Sequence, residues 1–271
     1  MPKRGTIMTI MAACLVATLT GCGLAGGVLG ELATDPAVIT ADAPFRGSPS
    51  EKFADGAAGL VIPEAEAVGK FSARDVRSAL KTSGRLLRAV YLDKQTLLGG
   101  KPEAYAALLD PEQREAFLRD LDHKDPKKDT RGWVTSFAPG TTELVGDVIK
   151  VQGRLEPVAS KDADGGPELK VNYEARFVYA VRPAGKPGPI VRVMAYVKSH
   201  HLFWRDTPKG KLRNWDGEAE NMWTAGVLCE APDGFLRPDF SQDGGSGPVD
   251  DAYSDKPAQA KEGECGAVEE I

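Results

Sequence analysis

Between residues 168 and 181 one parity is apolar throughout: Leu169, Val171, Tyr173, Ala175, Phe177, Tyr179 and Val181. The other parity carries Lys170, Asn172, Glu174 and Arg176. Successive side chains of a strand point to opposite faces, so this pattern demands a strand with one face on a core and the other toward water or a more polar surface. Wound as a helix, the same residues would scatter their apolar groups around the axis. The chain must therefore build a sheet and supply a cover for its apolar face.

The flanking segments suit antiparallel partners. Residues 142–158 place Val145, Ile149, Val151 and Leu155 on one face. Residues 190–204 are apolar on both faces near their start, which predicts a central strand buried on two sides. Asp, Gly and Pro crowd the connections at 162–167 and 183–189. These turns are too short for the helical crossovers of parallel strands, which excludes a doubly wound parallel sheet.

The cover comes from the N-terminal side. Ser72-Ala73-Arg74-Asp75 has the form of a capping box, with Phe71 as the staple residue before it. Val76, Leu80, Leu87, Val90 and Tyr91 then form one apolar stripe, which Gly99-Gly100 ends. A shorter helix is predicted over 103–109. In Asp110-Pro111-Glu112-Gln113, Asp110 is the N-cap, Pro111 sits at the first helical position and Gln113 can reach back, starting a helix expected to bury Phe117, Leu118 and Leu121.

Helices followed by long antiparallel strands define an α+β domain with the helices on one sheet face. The capped long helix, the Gly99-Gly100-Lys101-Pro102 linker, the run Leu108-Leu109-Asp110-Pro111-Glu112-Gln113-Arg114 and the meander together resemble the NTF2-like, cystatin-type cone domains, over residues 70–206. The resemblance implies N-terminal helices packed on a curved antiparallel sheet, a scaffold that hosts both enzymes and binders.

Outside the domain, Lys3 and Arg4 precede an apolar run over 7–19 and then Leu19-Thr20-Gly21-Cys22. The first two zones read as a secretory signal peptide, too short to span a hydrocarbon core of about 30 Å. The tetrad resembles the lipobox of bacterial lipoproteins, and with the segments that follow, the chain is similar to actinobacterial-type lipoproteins. That resemblance implies removal of residues 1–21, diacylglyceryl transfer to Cys22, and anchoring on the extracytoplasmic face of the cell membrane. Residues 22–69, rich in Ala, Gly, Pro, Asp and Ser, are expected to form a flexible tether, near whose end Leu60-Val61-Ile62 can dock on the domain as a first extended segment. The α+β domain and its extension then occupy 70–240. Residues 241–271 form a polar, acidic tail expected to be disordered except where Cys265 ties it back.

Of 34 basic residues, loss of Lys3 and Arg4 leaves 32 against 39 acidic ones, a net charge of −7 for the processed chain. With no cluster of Lys or Arg interleaved with aromatics, nucleic acid is excluded as an expected partner. Cys229 and Cys265 remain in an oxidising compartment, where pairing into a disulfide is expected.

Candidate chemistry is sparse. Ser78-Ala79-Leu80-Lys81 matches the Ser-x-x-Lys of serine β-lactamases, but it falls in the second turn of a helix and lacks the partner motifs. Asp162-Ala163-Asp164-Gly165 reads as a hairpin turn, because Tyr173 stands where a calcium loop needs an acid. The acidic stretch Asp120, Asp122, His123, Asp125 and Asp129 alternates with lysines and reads as a solvated loop. His200 and His201 point to opposite faces and so cannot share a metal without a bulge. Either histidine, on the concave side, would serve as a base or ligand contact, and Trp204 is a further candidate ligand contact. Phe203, Trp204, Trp215 and Trp223 form an aromatic group expected to close the open end of the sheet.

No catalytic residue, cofactor or metal site is expected. The reading is a membrane-anchored interaction or accessory protein of the cell envelope, with an envelope protein or wall glycan as partner. A small-molecule or glycan-binding cone is the first alternative, and a cyclase or isomerase using His200 or His201 the second.

Overall fold

The computed structural model describes residues 39–207, 209–229, 233–241, 249–254, 267–268 and 271. All belong to the compact unit Pro36–Ile271. Residues 1–21, expected above to be a signal peptide, and Cys22 and Cys265 lie outside the described residues, and among the described residues no helix is long and apolar enough to cross a membrane.

The chain is α+β, and its sheet is built on three long strands: β3 (Thr142–Lys161), β4 (Pro167–Pro183) and β5 (Val191–Trp204), an antiparallel meander. Two short strands, β1 (Ala54–Asp55) and β2 (Leu60–Val61), pair with β3 on its other edge, antiparallel and parallel respectively. β6 (Arg213–Asp216) and β7 (Asn221–Ala225) both pair with β5. The hairpin between β3 and β4 is closed by Asp162, whose side chain accepts from the backbone N–H of Asp164 at 3.0 Å and of Gly166 at 2.7 Å.

Helix α1 (Ala73–Tyr91) starts at the expected capping box. The Asp75 N–H donates to Ser72 Oγ, and the Asp75 carboxylate accepts from the Ser72 N–H. Its stripe packs on the apolar parity of β4: Tyr91 stacks on Phe177 with ring centroids 4.2 Å apart, and the Tyr179 hydroxyl donates to the Tyr91 carbonyl. Short helices α2 (Lys94–Leu97) and α3 (Glu103–Ala106) follow, then α4 (Pro111–Asp120), capped by Asp110. All seven apolar-parity residues from Leu169 to Val181 lie in this main core. Each fully buried large side chain there contributes about 1.5–3 kcal/mol.

Several expectations are corrected. Leu118 is 51% exposed, because α4 turns Gln113 and Phe117 inward instead, and Leu121 just past its end is only partly buried. Val145 does not share a face with Ile149: between Leu144 and Ile149 the strand bulges, five steps on β3 matching two on β4. The three surplus residues are an odd number, so parity inverts and Val145 joins a second core on the opposite face.

That second core also corrects the tether reading from residue 39 onward and takes in the described parts of the tail. From Ile39 onward the expected tether is folded, with Phe45 buried and Leu60 in the main core. Gly59 permits the docking, since a Cβ there would meet the Val151 carbonyl oxygen at 2.1 Å. The described parts of the tail are packed too: β8 (Val249–Asp250) pairs with β9 (Ala267–Val268), and Ala252 and Ile271 cover Val178, Ala180 and Met194. Buried Arg192 ties the flanks together, donating to the carbonyls of Pro44, Arg46 and Ile271 at 2.7–2.8 Å.

Candidate functional site

Strand β5 carries His201 on the face toward the main core, where it is 1% exposed. Its ring stacks on Tyr173 at 4.7 Å, and its Nε2 lies 3.3 Å from Asp216 Oδ1. The pairing of β5 with β6 sets His201 directly opposite Asp216. From α3, the Tyr105 hydroxyl donates to the other carboxylate oxygen at 2.5 Å. Gln113 of α4 clamps the Asp216 backbone at two points, donating to its carbonyl at 2.8 Å and accepting from its N–H at 2.9 Å. A strand pair and two helices thus fix one carboxylate.

This cluster forms the polar end of a cavity of about 460 Å³. Leu86, Leu87 and Val90 of α1 and Val197 of β5 supply aliphatic wall, while Tyr91, Tyr173, Trp133 and Trp215 supply rings. Trp133 and Met222, 41% and 56% exposed, lie on the open side of the lining together with exposed Glu218 and Ala219. Volume and lining match a small-molecule site, mostly apolar with a few converging polar groups.

Burial pushes the Tyr105 phenol well above its ordinary range, and the neighbouring Asp216 carboxylate pushes it further. The same two causes raise Tyr173 and Tyr91. The three phenols therefore stay neutral at physiological pH, available as donors and not as bases. Among the described residues, His201 Nδ1 is buried without a hydrogen-bond partner. Such a group costs about 1–3 kcal/mol, and a bound molecule or a water is the usual remedy.

Of the candidate histidines and the aromatic group singled out from sequence, only His201 and Trp215 enter this cavity. His200 lies on the opposite face of the sheet, its Nδ1 3.9 Å from Glu220 and its pKa lowered first by burial and then by Lys170. Trp204 holds the Arg213 guanidinium over its ring at 5.1 Å and donates to Asp206. The aromatic group does not act as one closure: Phe203 is in the main core, and Trp223 stacks on Tyr196 beside the second core. Ser78 and Lys81 are exposed. The acidic loop is held by Arg131, and among the described residues no group of His, Cys, Asp or Glu could hold a metal ion.

Tyr105, Asp216, Gln113 and Ser199 were not legible as site residues. Gln113 carried a signal, but for a capping role that it does not play. Asp216 and Tyr105 stand 111 positions apart and meet only through the packing of α3 on β6. Compared with protein-family models, with curated proteins and with solved structures, the chain matches none.

Proposed function

We propose that this chain is a lipid-anchored extracytoplasmic protein that acts by binding: an accessory or interaction protein of the cell envelope whose α+β domain accepts a small, largely apolar molecule. One observation carries the binding role, the cavity of about 460 Å³ with aliphatic and aromatic walls and the His201–Asp216–Tyr105 cluster at its polar end. The order of helices and antiparallel meander supports an NTF2-like cone, in which the covered sheet face is the natural place for such a cavity. The lipobox ending at Cys22 supports the anchor and an extracytoplasmic domain, and the processed chain's charge of −7 speaks against nucleic acid.

The binding role is tested with the neutral fluorophore N-phenyl-1-naphthylamine. Saturable binding to one site, lost in Ala219→Trp, is the expected result, since Ala219 is an exposed lining residue whose enlargement fills the cavity without disturbing the core. Absence of binding, or binding unchanged by the substitution, refutes it. The anchor is tested by labelling cells with a radioactive fatty acid: label on the wild type and none on Cys22→Ala is expected. The pairing of Cys229 with Cys265 is tested by mass before and after reduction and alkylation.

A second reading has its own support. The short contacts of Asp216 with Tyr105 and His201 fit acid–base chemistry of the cyclase or isomerase type. Conversion of a bound compound, abolished in His201→Gln with binding retained, would favour it over simple binding.

A further inference from the structure

We infer that the cavity is built for an organic cation: an amine carried on a compact apolar or aromatic body. The inference rests on the binding role proposed above and adds the charge of the ligand. Asp216 is the starting point, with a side chain 15% exposed. Two other shielded carboxylates in the domain each hold an arginine: Asp75 pairs with Arg205, and Asp110 with Arg213. Among the described residues Asp216 has no such partner, and its only ion-pairing neighbour is His201. No Lys or Arg lines the cavity among the described residues, whereas Glu218 adds a second acidic residue at the edge.

The rings point the same way. Elsewhere the domain seats guanidinium groups over aromatic faces, Arg131 on Phe235 at 4.7 Å, Arg176 on Tyr196 at 5.0 Å and Arg213 on Trp204 at 5.1 Å. Among the described residues the rings lining the cavity hold no protein cation. One face of Tyr91 is covered by Phe177 and one of Tyr173 by His201, and an ammonium group over any remaining ring face beside the carboxylate would be attracted to both. An anionic ligand would meet Asp216 with no Lys or Arg in the described lining to offset the repulsion.

Three probes with one aromatic body and different heads decide the matter: phenethylamine, 2-phenylethanol and 3-phenylpropanoate. Binding to the whole processed chain at pH 7.5 is followed by titration calorimetry and by the fluorescence of Trp133 and Trp215. The amine should bind about tenfold tighter than the alcohol, and the carboxylate more weakly than either. In Asp216→Asn the amine should lose that advantage while the alcohol binds as before. Glu218→Gln, at an exposed position, should reduce the preference by about threefold. If the alcohol binds as tightly as the amine, the cation assignment is overturned, although the cavity still binds. If none of the three probes binds, the binding role falls with it.

Discussion

Replacing Asp122 by Asn should cost far more than the position of that residue suggests. The Asp122 side chain is 51% exposed, and an ion pair at such a site ordinarily contributes little. Its partner differs: the Arg131 side chain is only 2% exposed. The guanidinium donates from Nε to Asp122 Oδ1 at 2.8 Å and from Nη2 to Oδ2 at 2.9 Å, reaches the Gly100 carbonyl at 3.0 Å, and lies over the Phe235 ring. Asn keeps one acceptor, removes the charge and turns an amide N–H₂ toward a buried cation. The residue has a φ of 59°, which Asn adopts as readily as Asp, so backbone strain does not enter the comparison. Hydrogen bonds to charged groups contribute about 1.5–3 kcal/mol each, and water on the exposed side recovers part of the loss, leaving a cost of about 2 kcal/mol. At this chain length that lowers the Tm by about 4–8 °C. The assay is urea and thermal unfolding followed by near-UV circular dichroism. Asp147→Asn is the control, since Asp147 is 91% exposed and pairs with a half-exposed Lys94; its Tm should match wild type. In an Arg131→Met background, Asp122→Asn should add almost nothing. A D122N protein as stable as D147N would refute the claim that a buried guanidinium depends on this carboxylate.

Three other outcomes are expected. Ser72→Ala removes the acceptor of the Asp75 N–H at the start of α1 and should cost about 1 kcal/mol by urea midpoint. Arg213, helped by the Glu112 N–H, holds the Asp110 carboxyl below its ordinary value of 3.8. The folded pKa is thus depressed, so the stability it contributes is fully present above 3.8 and is lost as the pH falls through the folded value. Urea midpoints of the wild type should therefore fall more steeply in that acid range than those of Asp110→Asn. Gly59→Ala drives a methyl group into the Val151 carbonyl, so amide exchange at Leu60 and Val61 should accelerate while the β4 amides stay protected.

Much of the main core was legible because it obeys local rules. The period-two run from Leu169 to Val181 lands on the core face residue for residue, and the capping box of α1 forms between neighbours in sequence. Errors begin where a choice depends on distant partners. The Asp110-Pro111-Glu112-Gln113 motif correctly marks a helix start, yet Gln113 prefers two hydrogen bonds to the Asp216 backbone over its own cap. The bulge between Leu144 and Ile149 is invisible to a parity argument, and it moves Val145 to the other side of the sheet. The flanks look featureless because their hydrophobes are sparse; Phe45, Ala252 and Ile271 acquire a role only when Val178, Ala180 and Met194 supply a surface for them.

The histidine pair divides along the same line. Adjacent positions on one strand suffice to say that His200 and His201 face opposite ways, because side-chain alternation is a property of the extended backbone. Which of them meets a cavity depends on which face α1, α3 and α4 cover. Tertiary packing alone brings Tyr105 and Asp216 to His201, and leaves His200 beside Glu220 on the far side. Short-range periodicity thus determined the strands, the caps and one shared core. The cavity and the carboxylate at its polar end exist only where segments 111 residues apart in the chain are pressed together.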